Sequence, residues 1–353
     1  MQRQKTTFPA ICVVLGPLFF GLHASGRHAL AADYDFTGIT TSLKKAVEDA
    51  PLDGACLLVV KDSEMIYEHC FSKYKPETVV SIASASKWLS AATIMTLVDE
   101  GKLSLDDPVS KHLPRFTGKK GEITIRQLLS HTSGLPGDDP AIGTFRITLR
   151  EAADQIAEVP LVADPGKEFR YGGVSMQVAG AIAEIVSGKS WADLFQERIA
   201  GPCGMKNTRY GRFGLNRNPR IAGGASSTMN DYRNFLTMLL AEGEFNGKRV
   251  LSKEAIREME KDQTGGAEKK SATLARLTAG SRYGLGEWLD RKEENGQGIE
   301  ISSPGAFGFR PWIDRENNLF GVFVVEIRDR RTKRALASMG NIQDHVRQVI
   351  TGK

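Results

Sequence analysis

The sequence predicts an α+β fold: an antiparallel sheet built from both chain ends and flanked by helices, with an all-helical lobe inserted between them. Three observations lead there. Two strand-like runs near the start, "ACLLVV" and "MIYEHCF", find partners of their kind only after Tyr283. The long interval between is dominated by segments with apolar helical periodicity. The order is therefore helix, strands, many helices, strands, helix, which segregates strands from helices instead of alternating them. The expected division is an α/β lobe from 32–83 and 280–353 and a mainly helical lobe from 84–279. No internal repeat interrupts this order.

The elements follow in turn. "MQRQK" is basic, "FPAICVVLGPLFFGL" is apolar, and Ala29 and Ala31 offer an A-x-A site. That order reads as a secretory signal peptide over 1–31, and the apolar run is short for a membrane span. A first helix is expected over Ile39–Ala50, with Ile39, Leu43, Ala46 and Val47 on one face. Pro51-Leu52-Asp53-Gly54 ends it. The two strands follow around the turn Lys61-Asp62-Ser63-Glu64. A long helix over Ser84–Glu100 carries "WLSAATIMTLV", apolar on almost every side and so expected to be buried all round. Further helices are expected over Ile125–His131, Glu151–Val159, Val174–Ser187, Trp191–Ile199, Asp231–Glu242 and Lys253–Glu260. Thr148 and Glu151 fit a capping box. "YGLGEWLD", "GIEISSPGA", "FRPWID" and "LFGVFVVEI" read as strands, separated by turn-like "NGQG", "FGF" and "RENN". An amphipathic helix over Arg334–Ile350 closes the chain.

Composition excludes several classes. The 353 residues are 41% apolar and 25% charged, ordinary for a globular protein. Losing Arg3, Lys5 and Arg27 with the leader takes the net charge from +5 to +2, so nothing suggests a nucleic-acid surface. Cys56, Cys70 and Cys203 would remain. Cys56 and Cys70 flank the expected hairpin, and whether they pair is left open, because cross-strand disulfide geometry is restrictive. C-x-x-C and H-E-x-x-H are both absent, so neither a metal site nor a cofactor is expected.

Chemistry enters at "SIASASKWLS" (81–90). Ser-x-x-Lys occurs three times: Ser42/Lys45, Ser72/Lys75 and Ser84/Lys87. Only Ser84 would stand at the N-terminus of a buried helix, where free N–H groups favour developing negative charge. Lys87, one turn on, shares its helix face and can take or share the hydroxyl proton. A serine needs such a base, being a weak nucleophile at its own pKa. The plainer role for Ser84 is a helix N-cap.

The wider chain resembles the serine β-lactamase and penicillin-binding-protein superfamily, and class C-type β-lactamases and related esterases in particular. "SASK" (84–87) matches its S-x-x-K motif. "GKLSLDDPVSKHLP" (101–114) and "ITIRQLLSHTSGLPG" (123–137) look like the segments that follow it. "FRYGGVSMQVAGAIAEIVSG" (169–188) resembles the segment carrying Y-x-N. "GPCGMKNT" (201–208) and "GGASSTMNDYRNFL" (223–236) match in type, and "SPGAFG" (303–308) falls where the family has K-T-G or H-x-G.

The resemblance implies a β-lactamase/transpeptidase-like fold and a serine acyl-enzyme. Ser84 would attack a carbonyl, Lys87 and Tyr171 would share the base role, and backbone N–H groups of Ser84 and Ala306 would form the oxyanion hole. Two positions depart from the pattern. Gly173 stands where Y-x-N has an asparagine, and Ser303, ahead of Pro304 and Gly305, stands where K-T-G has a lysine. Gly173, Ser303 and Gly305 are thus expected at the substrate, with Arg310 as a substitute cation. Both departures favour ester hydrolysis over β-lactamase or D-alanyl-D-alanine carboxypeptidase activity. The expected partner is a small-molecule ester, amide or β-lactam, met outside the cytoplasm, in the periplasm or beyond the cell. No stable membrane span is expected after the leader is cut. A rival of another class is a non-catalytic binder of cell-wall peptides or β-lactams. A triad of Ser84, His131 and Asp138 is a further arrangement, but the resemblance places "HTSG" (131–134) in a structural turn.

Overall fold

The N-terminal hairpin and the C-terminal strands join into one seven-stranded antiparallel sheet. The computed structural model describes residues 34–50, 52–211, 216–270, 282–327, 329 and 341–352. The leader expected over 1–31 and the first turns of the closing helix lie outside them. In the sheet, β1 (Gly54–Lys61) and β2 (Glu64–Ser72) extend a meander of β3 (Arg282–Tyr283), β4 (Trp288–Lys292), β5 (Gly298–Ser302), β6 (Arg310–Asp314) and β7 (Leu319–Val324). The strand order is β3-β4-β5-β6-β7-β1-β2, so the two chain ends meet where β1 pairs with β7 from Cys56↔Val324 to Lys61↔Leu319.

β1 and β7 are buried along nearly their whole length because they are central and covered on both faces. Helix α1 (Thr37–Asp49) covers one side, burying Ile39, Leu43, Ala46 and Val47, the four residues whose spacing marks its apolar face. α7 (Met229–Leu240) packs against β6 and β7. The closing helix is α9 (Ile342–Thr351), with Asn341 as its N-cap.

Between the chain ends run α2 (Ser86–Asp99), α3 (Ile125–Leu129), α4 (Leu149–Ile156), α5 (Val174–Ser187), α6 (Trp191–Phe195), α7 and α8 (Lys253–Met259). Every residue of α2 from Ser86 to Leu97 is buried. Helices α5, α6 and α8 pack around it, which is why its sequence has no polar face. The capping box expected at Thr148 forms: Glu151 N donates to Thr148 Oγ1 at 3.0 Å, and Thr148 N donates to Glu151 Oε2 at 2.6 Å.

Three expectations are corrected. The long helix does not begin at Ser84. Ala83–Ala85 form a 3-10 turn, and the α-helix begins at Ser86. "YGLGEWLD" is not one strand, because a tight turn at Gly284–Glu287 divides it into β3 and β4. Trp191–Ile199 is α-helical only to Phe195 and then widens into a π-turn over Gln196–Ala200.

The open question of the cysteines is resolved: Cys56 and Cys70 form a disulfide, with Cα atoms 4.1 Å apart. They face each other directly across β1 and β2, and the short separation fits the close kind of antiparallel pair.

Candidate active site

The serine is presented by a short sequence of contacts. Val80–Ser81 pairs with Ala225–Ser227, and Ile82 N donates to Ala225 O at 3.1 Å. Ala83 then takes a left-handed conformation, φ +45°, which turns the chain sharply into the 3-10 turn holding Ser84. Ser86 braces this turn: its hydroxyl donates to Ala83 O at 2.6 Å and accepts from Ala225 N at 3.1 Å. Ser86 is thus a structural neighbour of the nucleophile candidate. Ser84 makes no side-chain cap and is half-buried at the edge of a cleft.

Lys87 lies one turn on. Its Nζ is 3.1 Å from Ser84 Oγ and donates to Ala222 O at 2.9 Å. The residue is 3% exposed, so the amine faces only these oxygens and the cleft. Its third contact is the ring of Tyr171, whose centroid is 4.4 Å from Nζ. Tyr171 comes to Lys87 with its ring face; its hydroxyl has no hydrogen-bond partner among the described residues.

Tyr171 is held by rings and by backbone. It stacks on Trp288 at 5.2 Å between centroids and leans on His131 at 4.8 Å and Tyr283 at 5.9 Å. The segment after it touches the 134–137 turn backbone to backbone, with Gly173 N donating to Gly137 O at 2.7 Å. A Cβ on Gly172 would stand 1.8 Å from Gly137 O, so only glycine fits there.

His131 does not join Ser84 in a triad. Its ring is fully enclosed by Phe169, Tyr171 and Tyr283, and neither ring nitrogen has a hydrogen-bond partner among the described residues. Burial, and then the charge on Lys87, holds its pKa well below the usual value, so the imidazole is neutral. Asp138 lies apart from it on the exposed rim of the cleft.

The loop 303–309 forms the opposite wall. Ala306 lines the cleft with Ser84, and its N–H makes no bond to a protein acceptor among the described residues. The Ser84 N–H sits at the start of its turn, where no intrahelical acceptor exists. Gly305 passes so close to Ile82 that a Cβ would meet Ile82 O at 2.2 Å. That close approach sets the loop beside the serine.

Three expected substrate contacts do not line the cleft: Gly305, set against Ile82, and the side chains of Ser303 and Arg310. The Ser303 hydroxyl is buried and turns to the backbone carbonyls of Ser84 and Gly286, each at 3.4 Å. It ties the loop to the turn that holds Ser84 instead of facing the cleft. Arg310 points away along the sheet, where Nη1 donates to Asn341 Oδ1 at 2.7 Å and the carboxylates of Asp290, Asp344 and Glu300 lie nearby.

The cleft has a volume of about 520 Å³. Ser84, Lys87, Tyr171, Gly173 and Ala306 all line it. So do Ile142, Gln177 and Arg220, which the sequence did not single out, since they sit in loops or on a helix without a motif. Arg220 is exposed there and has no acidic partner among the described residues. Ala222, the carbonyl acceptor of Lys87, follows on the same loop.

A family model described as Beta-lactamase matches residues 40–340. A solved structure from Bacteroides dorei DSM 17855 superposes with a TM-score of 0.82 at 35% identity, covering 90% of this chain and 99% of that one. EstCE1, a hydrolase with promiscuous acyltransferase activity, shares the fold with a TM-score of 0.69 at 20% identity, covering 86% and 97%. Protein flp of Staphylococcus aureus (strain MW2) is 31% identical over 187 residues, which are 49% of this chain and 38% of that protein. The chain therefore spans well under half the length of that relative.

Proposed function

The chain belongs to the β-lactamase family, and from that premise we propose an exported serine hydrolase that cleaves a small carboxylic ester through an acyl-enzyme on Ser84. The observation that carries this is Ser84 Oγ within 3.1 Å of a buried lysine amine at the edge of a cleft.

In the proposed cycle Ser84 Oγ attacks the ester carbonyl while its proton passes to Lys87 Nζ acting in its free-amine form, with Tyr171 sharing the base role. The carbonyl π-electrons move to oxygen, and the N–H groups of Ser84 and Ala306 take up that charge, which exists only in the tetrahedral state. Collapse breaks the C–O bond, the proton returns to the departing alkoxide, and an acyl-serine remains. Water then gives a proton to the same Lys87 and Tyr171 pair as it attacks the acyl carbon; collapse breaks the bond to Ser84 Oγ, the proton passes to that oxygen, and the acid is released. The residues supply nucleophile, base and oxyanion donors between them.

Ester hydrolysis is favoured because the polar contacts an amide substrate would need are missing. Gly173 has no side-chain donor, Ser303 is turned into the backbone, and Arg310 is engaged elsewhere. A second reading has one observation in its favour: Arg220, with no acidic partner among the described residues, places a cation on the cleft, where a β-lactam or peptide carboxylate could meet it. The two readings separate on turnover. p-Nitrophenyl esters should be hydrolysed faster than a chromogenic cephalosporin, and the reverse order would establish the β-lactamase reading. A fluorophosphonate probe should label wild type and not Ser84→Ala. Failure to label folded wild type would leave only a non-catalytic binder.

A further inference from the structure

The wall beside Gly173 contains the feature that sets what the cleft accepts. A Cβ built on Gly173 would lie 2.8 Å from Ile142 Cδ1 and 3.9 Å from Ala222 Cβ. The space into which any side chain at 173 would grow is thus filled by the terminal methyl of Ile142. That methyl belongs to a residue 5% exposed whose remaining surface lines the cleft.

Ile142 is held in place. It lies in the 3-10 turn Pro140–Gly143, whose entry is capped by Asp139 Oδ1 accepting from Ala141 N at 2.8 Å. The buried Asn218 amide donates to Ala141 O at 2.8 Å and to Thr144 O at 3.1 Å, gripping the turn on both sides of Ile142. Asn218 is fixed in turn by Gln177, whose Nε2 donates to Asn218 Oδ1 at 2.6 Å and to Pro219 O at 2.9 Å. Gln177 Oε1 accepts from Ile221 N at 3.2 Å, next to Ala222, the carbonyl acceptor of Lys87. A satisfied buried network of this kind fixes the walls it joins.

We propose that Ile142 is a specificity-determining residue: its side chain sets an apolar wall beside Gly173, where no side-chain amide is present, and limits the acyl group to a short alkyl chain. The inference rests on the ester-hydrolase reading and deepens it. Ile142 touches the acyl chain and takes no part in proton transfer.

The test uses the full chain and p-nitrophenyl acetate, butyrate and hexanoate. Wild type is compared with Ile142→Val, which removes one methyl group from the wall, and with Ile142→Ala, which opens it further. The ratio of kcat/KM for hexanoate over acetate should rise about tenfold in Ile142→Ala, the scale on which an apolar pocket senses a methylene or two. It should rise less, in the same direction, in Ile142→Val. Unchanged ratios in variants that unfold cooperatively like wild type would overturn the inference. If Ile142→Ala does not fold, Ile142→Val decides alone. If no ester is turned over but Ser84 reacts with alkyl fluorophosphonates, the ester-hydrolase reading fails. The wall is then judged by whether Ile142→Val speeds labelling by long-chain over short-chain probes. Absence of both turnover and labelling overturns the wall together with the hydrolase reading.

Discussion

Glu287 is fully buried in the turn between β3 and β4, and neither carboxyl oxygen has a hydrogen-bond partner among the described residues. Burial, reinforced by the nearby charge of Glu260, pushes its pKa well above 4.5. The folded protein therefore keeps the proton on Glu287 at pH values where the unfolded chain has lost it. Below about pH 4.5 the group is protonated in both states and adds no slope. Above that, each pH unit costs about 1.4 kcal/mol of stability until the folded-state pKa is reached. Glu287→Gln removes this dependence while keeping the shape of the side chain. Urea unfolding of both proteins at pH 5, 6 and 7 measures the difference directly. The stability of Glu287→Gln relative to wild type should increase by up to about 3 kcal/mol between pH 5 and pH 7, whatever constant offset the buried amide introduces. Other titrating groups are common to both proteins and cancel in the comparison. Parallel stability curves would refute the reasoning, since they would mean that Glu287 is ionised in the folded state.

Two further outcomes are expected. Lys87→Met keeps an apolar stem in α2 but removes the amine 3.1 Å from Ser84 Oγ, so kcat for ester hydrolysis should fall on the order of 10²–10⁴-fold with folding intact, measured by steady-state turnover and circular dichroism. The Cys56–Cys70 disulfide closes a loop with a sequence separation of 14; reducing it, or replacing both cysteines with alanine, should cost roughly 3 kcal/mol in urea unfolding and leave kcat unchanged, because the bond lies in the hairpin and not on the cleft.

Where the sequence could be read, the reason was a local pattern that burial enforces. The α1 face, the burial of α2 on every side and the Thr148 capping box each follow from residues within one or two turns of each other. Ser84 and Lys87 are close in sequence too, three residues apart across the junction of the 3-10 turn and α2, although contacts with Ala222 and Ala225 hold that turn and the amine in place. The disulfide was not legible, because it depends on a bulge. Continued unbroken from Lys61↔Glu64, the hairpin register would set Cys56 opposite His69. The irregularity between Val59 and Val60 moves it to Cys70. Arg310 and Ser303 were placed at the substrate on position along the chain, and both side chains turn to partners distant in sequence, Asn341 in one case and the Ser84 and Gly286 carbonyls in the other. Ile142 and Arg220 lie in loops without periodicity, so only tertiary structure brings them to the cleft.

The two departures from the family pattern act in one direction. Where an asparagine would reach into the cleft, Gly173 yields to the methyl of Ile142. Where a lysine would stand, Ser303 turns its hydroxyl to the backbone carbonyls of Ser84 and Gly286. Neither change touches the 3.1 Å contact between Ser84 and Lys87, nor the Ala222 carbonyl that orients the amine. The Ser84 and Lys87 pair thus keeps the S-x-x-K pattern, while both departures fall at positions where the resemblance implies a polar substrate contact. A wall made of methyl groups discriminates by about 1–3 kcal/mol per methylene, whereas a buried polar pair that goes unmatched costs far more. A cleft with an apolar wall in place of polar groups should therefore rank esters by acyl length in modest steps, with Arg220 at the rim as its remaining charged contact besides Lys87 and Asp138.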